Sequence, residues 1–241
     1  MEPEAEKNLW AERDPAGGCR VLSVSPEGAG ETLAVTLTLP ATVAKAYGLE
    51  TASPAEPAAR VKLHILVEQY AELDLRRGEL TAEQAEAVLE AGRLCDAIRR
   101  GLSLLQYGDQ SPRQLARKLT ARGISRDTAA AAVEYLSEKG YVREDDTARL
   151  RAEQGVRKLW GPHRIREDLR AHGFSPDATE EALEGLAEVD WIENCAAAIR
   201  KRYGEIPSDR QQRQKLMAAV LRLGYDSETV KDALRLILGG K

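Results

Sequence analysis

The chain has 241 residues, 43% apolar and 31% charged, enough for one large domain or two small ones with a substantial core. Its net charge of −4 speaks against a binder that relies on bare phosphate neutralisation, because such proteins are far more basic. No apolar run approaches membrane-spanning length, and the opening MEPEAEKNLWAERD lacks the basic-then-apolar pattern of a signal peptide, so a cytoplasmic protein is expected. Cys19, Cys95 and Cys195 have no paired spacing and suggest neither a disulfide frame nor a zinc site. They read as small, half-buried thiols in a reducing compartment.

The charge is unevenly spread. Residues 1–96 carry 9 Lys and Arg against 17 Asp and Glu, and residues 97–241 carry 26 against 22, so the second part is mildly basic. Residues 1–19 read as a flexible polar tail containing Leu9 and Trp10, and residues 20–80 as a small antiparallel β-containing module. Arg20–Ser25 and Thr32–Leu39, separated by Gly28 and Gly30, form a predicted hairpin. In its second arm Leu33, Val35, Leu37 and Leu39 alternate with small or polar residues, the period of a half-buried strand. A short helix is expected over Ala41–Tyr47, ended by Gly48, followed by an Ala/Pro connector over Thr51–Arg60 without regular structure. Val61, Leu63, Ile65 and Val67 then share one face of a further strand.

Thr81 and Gln84 have the spacing of a reciprocal capping box, and from there a helix is expected to Tyr107, with a possible break at Gly92. This helix opens the first of three repeats, assigned to 81–142, 143–192 and 193–241. Aligning Gly123, Gly173 and Gly224 gives periods of 50 and 51 residues. Eight residues before the glycine stand Leu115, Ile165 and Leu216; four before it, Leu119, Leu169 and Val220. One after it come Ile124, Phe174 and Tyr225; nine after it, Ala132, Ala182 and Ala233; thirteen after it, Leu136, Leu186 and Ile237. Such spacings describe two amphipathic helices joined by a tight turn. The glycine supplies the left-handed residue, and Ser125, Ser175 or Asp226 caps the second helix. Longer connecting helices end at Tyr107-Gly108, Trp160-Gly161 and Tyr203-Gly204, and fresh starts follow at Ser111-Pro112, Gly161-Pro162 and Pro207-Ser208, the last boxed by Gln211. The fold class is therefore mainly α: three tandem three-helix repeats in an elongated array behind the β-containing module.

Little in the chain carries chemistry. There is no glycine-rich phosphate loop, metal-ligand spacing or nucleophile elbow, so neither an enzyme nor a cofactor or metal site is expected. His163 and His172 read as surface or helix-end residues, and Glu144-Asp145-Asp146 as a helix start favoured by its dipole. The basic residues are the partner-binding candidates: Arg113, Arg117, Lys118 and Arg122 in repeat one, Arg164, Arg166 and Arg170 in repeat two, Lys215 and Arg222 in repeat three. The plainer alternative for all of them is a solvated helix face with its counter-charges. Core positions repeat but charges do not: Lys118 corresponds to Asp168 and Ala219, and Arg117 to Glu167 and Ala218. One equivalent contact per repeat is thus disfavoured, and an irregular polar surface on a repeated shape suits a large protein partner.

The stretches Ser111–Leu119 with Gly123, Gly140-Tyr141-Val142, Gly161–Leu169 with His172-Gly173-Phe174, and Gln214-Lys215-Leu216 with Leu223-Gly224-Tyr225 resemble, in order and spacing, the bacterial regulatory protein RecX family. The resemblance covers roughly residues 97–237, and the chain departs from the family's pattern at Gln114, Arg143-Glu144 and His172. It implies a protein that binds RecA recombinase filaments on single-stranded DNA and restrains their ATPase, co-protease and strand-exchange activities. Contact with the DNA itself would be indirect or weak, the protein a monomer, and no membrane involved. The alternative reading is a helical nucleic-acid-binding module acting on DNA directly, with Arg164, Arg166 and Arg170 facing a groove.

Overall fold

The structure, a computed structural model, describes residues 18–27, 31–49, 58–204 and 206–239. The described residues fall into two compact units, one of residues up to 100 together with 124–132, the other of residues 101–123 together with those from 133 onward.

In the first unit, β1 (Cys19–Glu27), β2 (Thr32–Pro40), β3 (Ala58–Leu66) and β4 (Gly78–Leu80) form an antiparallel sheet in the order β3-β2-β1-β4. The register sets Val35 opposite Leu63, Leu37 opposite Val61 and Leu39 opposite Ala59. The alternating apolar set therefore shares one face, where it is buried with Val43 and Ala44 of α1 (Ala41–Ala46) and with Ala85, Val88 and Leu89 of α3 (Ala82–Leu105). The α3 capping box forms as expected: Thr81 N–H donates to Gln84 Oε1 at 3.0 Å and Gln84 N–H to Thr81 Oγ1 at 3.2 Å.

Five details differ from the sequence reading. β1 begins at Cys19, inside the stretch assigned to the tail, and all three cysteines are fully rather than half buried. β3 already runs from Ala58, so of the expected connector only residues outside the described set remain; the tail residues Leu9 and Trp10 and the hairpin glycines Gly28 and Gly30 also lie outside it. Val67 starts α2 (Val67–Glu72) instead of ending a strand, and is 39% exposed. The helix α3 is continuous through Gly92, whose role is clearance: a Cβ there would sit 3.3 Å from Leu63 Cδ1.

Eight helices complete the repeats: α4 (Pro112–Thr120), α5 (Arg126–Glu138), α6 (Glu144–Arg157), α7 (Pro162–Ala171), α8 (Pro176–Glu184), α9 (Trp191–Tyr203), α10 (Arg210–Leu221) and α11 (Ser227–Gly239). The three turn glycines all have positive φ, of 86°, 78° and 90°, and each donates its N–H to the carbonyl three residues back at 2.9 to 3.0 Å. The second-helix caps form in all three copies. Ser125 Oγ accepts from Thr128 N–H at 3.1 Å, Ser175 Oγ from Ala178 N–H at 3.2 Å, and Asp226 Oδ1 from Thr229 N–H at 2.8 Å. Within repeats two and three separate cores form, one around Ile165, Leu169 and Phe174, the other around Leu216, Val220 and Tyr225.

The third repeat departs from the reading at its first turn helix. Asp209, not the Pro207-Ser208 pair with Gln211, caps α10, by accepting from Gln212 N–H at 2.9 Å. The end of α6 also differs: Leu159, at φ 59°, takes the left-handed position after it, whereas Gly161, at φ −81°, caps α7 as the expected Gly161-Pro162 start requires.

The Asp226 cap makes a measurable prediction. Hydrogen bonds from the Thr229 backbone and hydroxyl, with a further one from Glu228 N–H, hold its carboxyl below the usual range. A depressed carboxylate pKa stabilises the fold above the unfolded value of about 3.9 and ceases to do so as pH falls through the lower folded value. Asp226→Ala is expected to lower the unfolding free energy by about 1 kcal/mol at pH 7. In urea titrations the gap between variant and wild type should close towards pH 2.

Candidate basic faces of the helical repeats

The turn pairs place the basic residues by helix periodicity. Leu115 and Leu119 bury one side of α4, which leaves Arg113, Arg117 and Lys118 exposed along it and Arg122 exposed at its end. None of these four forms an ion pair among the described residues. Arg122 only folds back to donate to the Lys118 carbonyl at 3.1 Å. Gln114, Lys118 and Arg122, spaced by four, form a stripe that lines an open cleft of about 350 Å³ with Tyr107 and Gln110. Tyr107 is 89% exposed, and Gln110 is buried with its amide nitrogen donating to the Leu104 carbonyl at 3.1 Å. Neither lining residue was among the partner-binding candidates read from the sequence. The four-residue spacing of the stripe was the available signal for the helix side, whereas Gln110 carried none.

Repeat two treats its basic residues differently. Arg166 forms two hydrogen bonds to Glu180, both 2.9 Å, and Arg170 adds a third to the same carboxylate at 3.4 Å. Arg166 consequently holds the Glu180 carboxyl below its ordinary range, and its own guanidinium pKa is raised by the same hydrogen bond. Arg164 lies over the Trp160 ring, 4.4 Å from its centroid. At the positions matching Lys118 and Arg122, Asp168 and His172 are met by Arg151, which donates to Asp168 Oδ2 at 2.6 Å and lies 2.6 Å from His172 Nε2. In repeat three, Lys215 and Arg222 are exposed and make no ion pair among the described residues. The nine candidates therefore separate: four cations cluster unpaired on repeat one, three are engaged within repeat two, and two stand apart on repeat three.

The repeats also join in a regular way. Ser111 Oγ, which accepts from Gln114 N–H, donates to the His172 carbonyl at 2.6 Å. At the equivalent position one repeat later, Gly161 N–H donates to the Leu223 carbonyl at 2.7 Å and His163 N–H to the Gly224 carbonyl at 3.1 Å. In both joints the start of one first-turn helix abuts the glycine turn of the next repeat.

Burial raises the Cys19 thiol to about 11 and the Cys195 thiol to about 12, which keeps both protonated near neutrality. Among the described residues no three His, Cys, Asp or Glu are grouped to hold a metal, and no helix is long and apolar enough to cross a membrane.

Comparison with known proteins agrees with this architecture. The family model described as the third three-helix domain of RecX matches residues 188–234. A protein of Stenotrophomonas maltophilia (strain K279a) named regulatory protein RecX is 38% identical over 145 residues, covering 57% of this chain and 85% of its own. The regulatory protein RecX of Xanthomonas campestris pv. campestris (strain B100) is 37% identical over 166 residues, covering 65% and 98%. Among solved structures, a crystal structure of regulatory protein RecX superposes with a TM-score of 0.65 at 18% identity, over 89% of this chain and 99% of that one. RecX from Lactobacillus salivarius gives a TM-score of 0.52 at 17% identity, over 59% and 95%. At such identities the structures attest the fold alone.

Proposed function

Because the chain belongs to the RecX family of regulatory proteins, we propose that it binds RecA recombinase filaments on single-stranded DNA and restrains their ATPase, co-protease and strand-exchange activities. The observation that carries this reading is the set of unpaired, exposed cations on α4 and the turn after it, Arg113, Arg117, Lys118 and Arg122, on a scaffold that repeats its shape without repeating its charges. A large protein surface is met by such an irregular face, and the underlying DNA is sensed only weakly. The chain acts as a cytoplasmic monomer without catalysis or cofactor of its own.

The same unpaired cations favour a second reading, direct binding to DNA phosphates. Co-sedimentation separates the two. With RecA filaments assembled on single-stranded DNA, the chain is expected to pellet at near-physiological salt, and far less with the DNA alone. Equal pelleting with bare DNA, falling steeply between 50 and 200 mM salt as roughly 6–10 phosphate contacts require, would transfer the function to DNA binding.

A further inference from the structure

The joints between repeats use two of the three glycine turns and leave one open. A Cβ on Gly173 would fall 2.9 Å from the Cβ of Arg113, and one on Gly224 would fall 2.3 Å from the Arg164 backbone nitrogen. At Gly123 no described residue lies within 4 Å of such a Cβ, although φ and the turn hydrogen bond match the other two. Ile124, the first apolar residue after this turn, is only half buried, whereas its counterparts Phe174 and Tyr225 are buried.

The two filled turns show what such a turn accepts. Each receives the start of a helix whose cap is small, Ser111 or Gly161, followed by proline. The incoming segment brings N–H or O–H donors to the carbonyls at and just before the glycine. The electrostatics match, since the carbonyl end of one helix meets the N–H end of another. A phosphate would meet the negative end of the α4 dipole and has no such complement in the turn.

We infer that the Gly123 turn is a docking socket for the N-terminal turn of a helix supplied by a protein partner, one opened by a small cap residue and proline. The first-turn helix α10 of a second copy fits it poorly: it starts at Arg210, and the residue matching Gly161 is Gln212, whose side chain would enter where Gly161 leaves no room for a Cβ. The socket lies at the end of α4 that carries Lys118 and Arg122, so it is continuous with the unpaired cationic face. As an interface for RecA filaments it rests on the function proposed above; as a helix-start socket it stands without it.

The test is Gly123→Asn, because asparagine tolerates the left-handed conformation while placing a side chain in the socket. The variant is expected to keep its melting temperature within a few degrees and to bind RecA filaments at least tenfold more weakly. Undiminished binding by the folded variant overturns the inference. Should the wild-type chain itself ignore filaments, the function reading fails and a second probe decides the socket: an acetylated peptide of residues 111–122, whose start fills the Gly173 turn in the native chain. Saturable shifts of the Arg122 and Gly123 amide resonances at millimolar peptide, absent in Gly123→Asn, support the socket. Their absence in the wild-type chain overturns it.

Discussion

Gly161→Ala is expected to lower the unfolding free energy by roughly 3 kcal/mol, the upper end of what one added methyl costs in a packed site. The backbone at Gly161, with φ −81°, suits alanine, so no conformational strain is involved. The cost comes from contact with groups that cannot turn aside. A Cβ there would lie 2.4 Å from the carbonyl carbon and oxygen of Gly224 and 2.5 Å from the nitrogen of Tyr225, all backbone. Relief requires the α7 start to withdraw, which stretches the 2.7 Å bond to Leu223 and the 3.1 Å bond to Gly224. Gly140→Ala is the comparison: its φ of 73° strains alanine, but no described residue lies within 4 Å of a Cβ there, so about 1 kcal/mol is expected. Urea denaturation of both variants checks this, and equal losses would mean that the joint between repeats two and three contributes little.

The second large effect concerns binding. Reversing charge at Arg117 and Lys118 together is expected to weaken co-sedimentation with RecA filaments at least tenfold, which corresponds to about 1.4 kcal/mol. Both side chains are exposed and unpaired, so the fold should tolerate the change. Arg170→Glu is the control, because its charge is already engaged by Glu180 at 3.4 Å, and a change below about threefold is expected there. Equal losses at the two sites would remove the assignment of the partner surface to repeat one.

These expectations depend on features that were unequally legible in the sequence. The turn glycines, the caps at Ser125, Ser175 and Asp226, and the paired core positions were readable because each is a local rule: φ, hydrogen bonding and 3.6-residue periodicity act within a few residues. What escaped is mostly non-local. β4 is three residues long and exists through its pairing with Cys19–Val21. Gly161 was legible as the start of a helix, but the reason it must be glycine lies 63 residues away, at Gly224. The nine basic candidates looked alike because Glu180, which engages two of them, sits on a different helix and outside any i,i+4 pattern. The capping residue of α10 slipped by local competition, since Asp209 outdoes Ser208 with a carboxylate at the dipole end.

RecA-catalysed ATP hydrolysis on single-stranded DNA, with this chain titrated in at near-physiological salt, tests the central claim most directly. A regulator of filaments is predicted to suppress hydrolysis at well below one chain per RecA protomer. Hydrolysis unchanged across the titration, alongside tight and salt-steep binding of the chain to DNA alone, would contradict it.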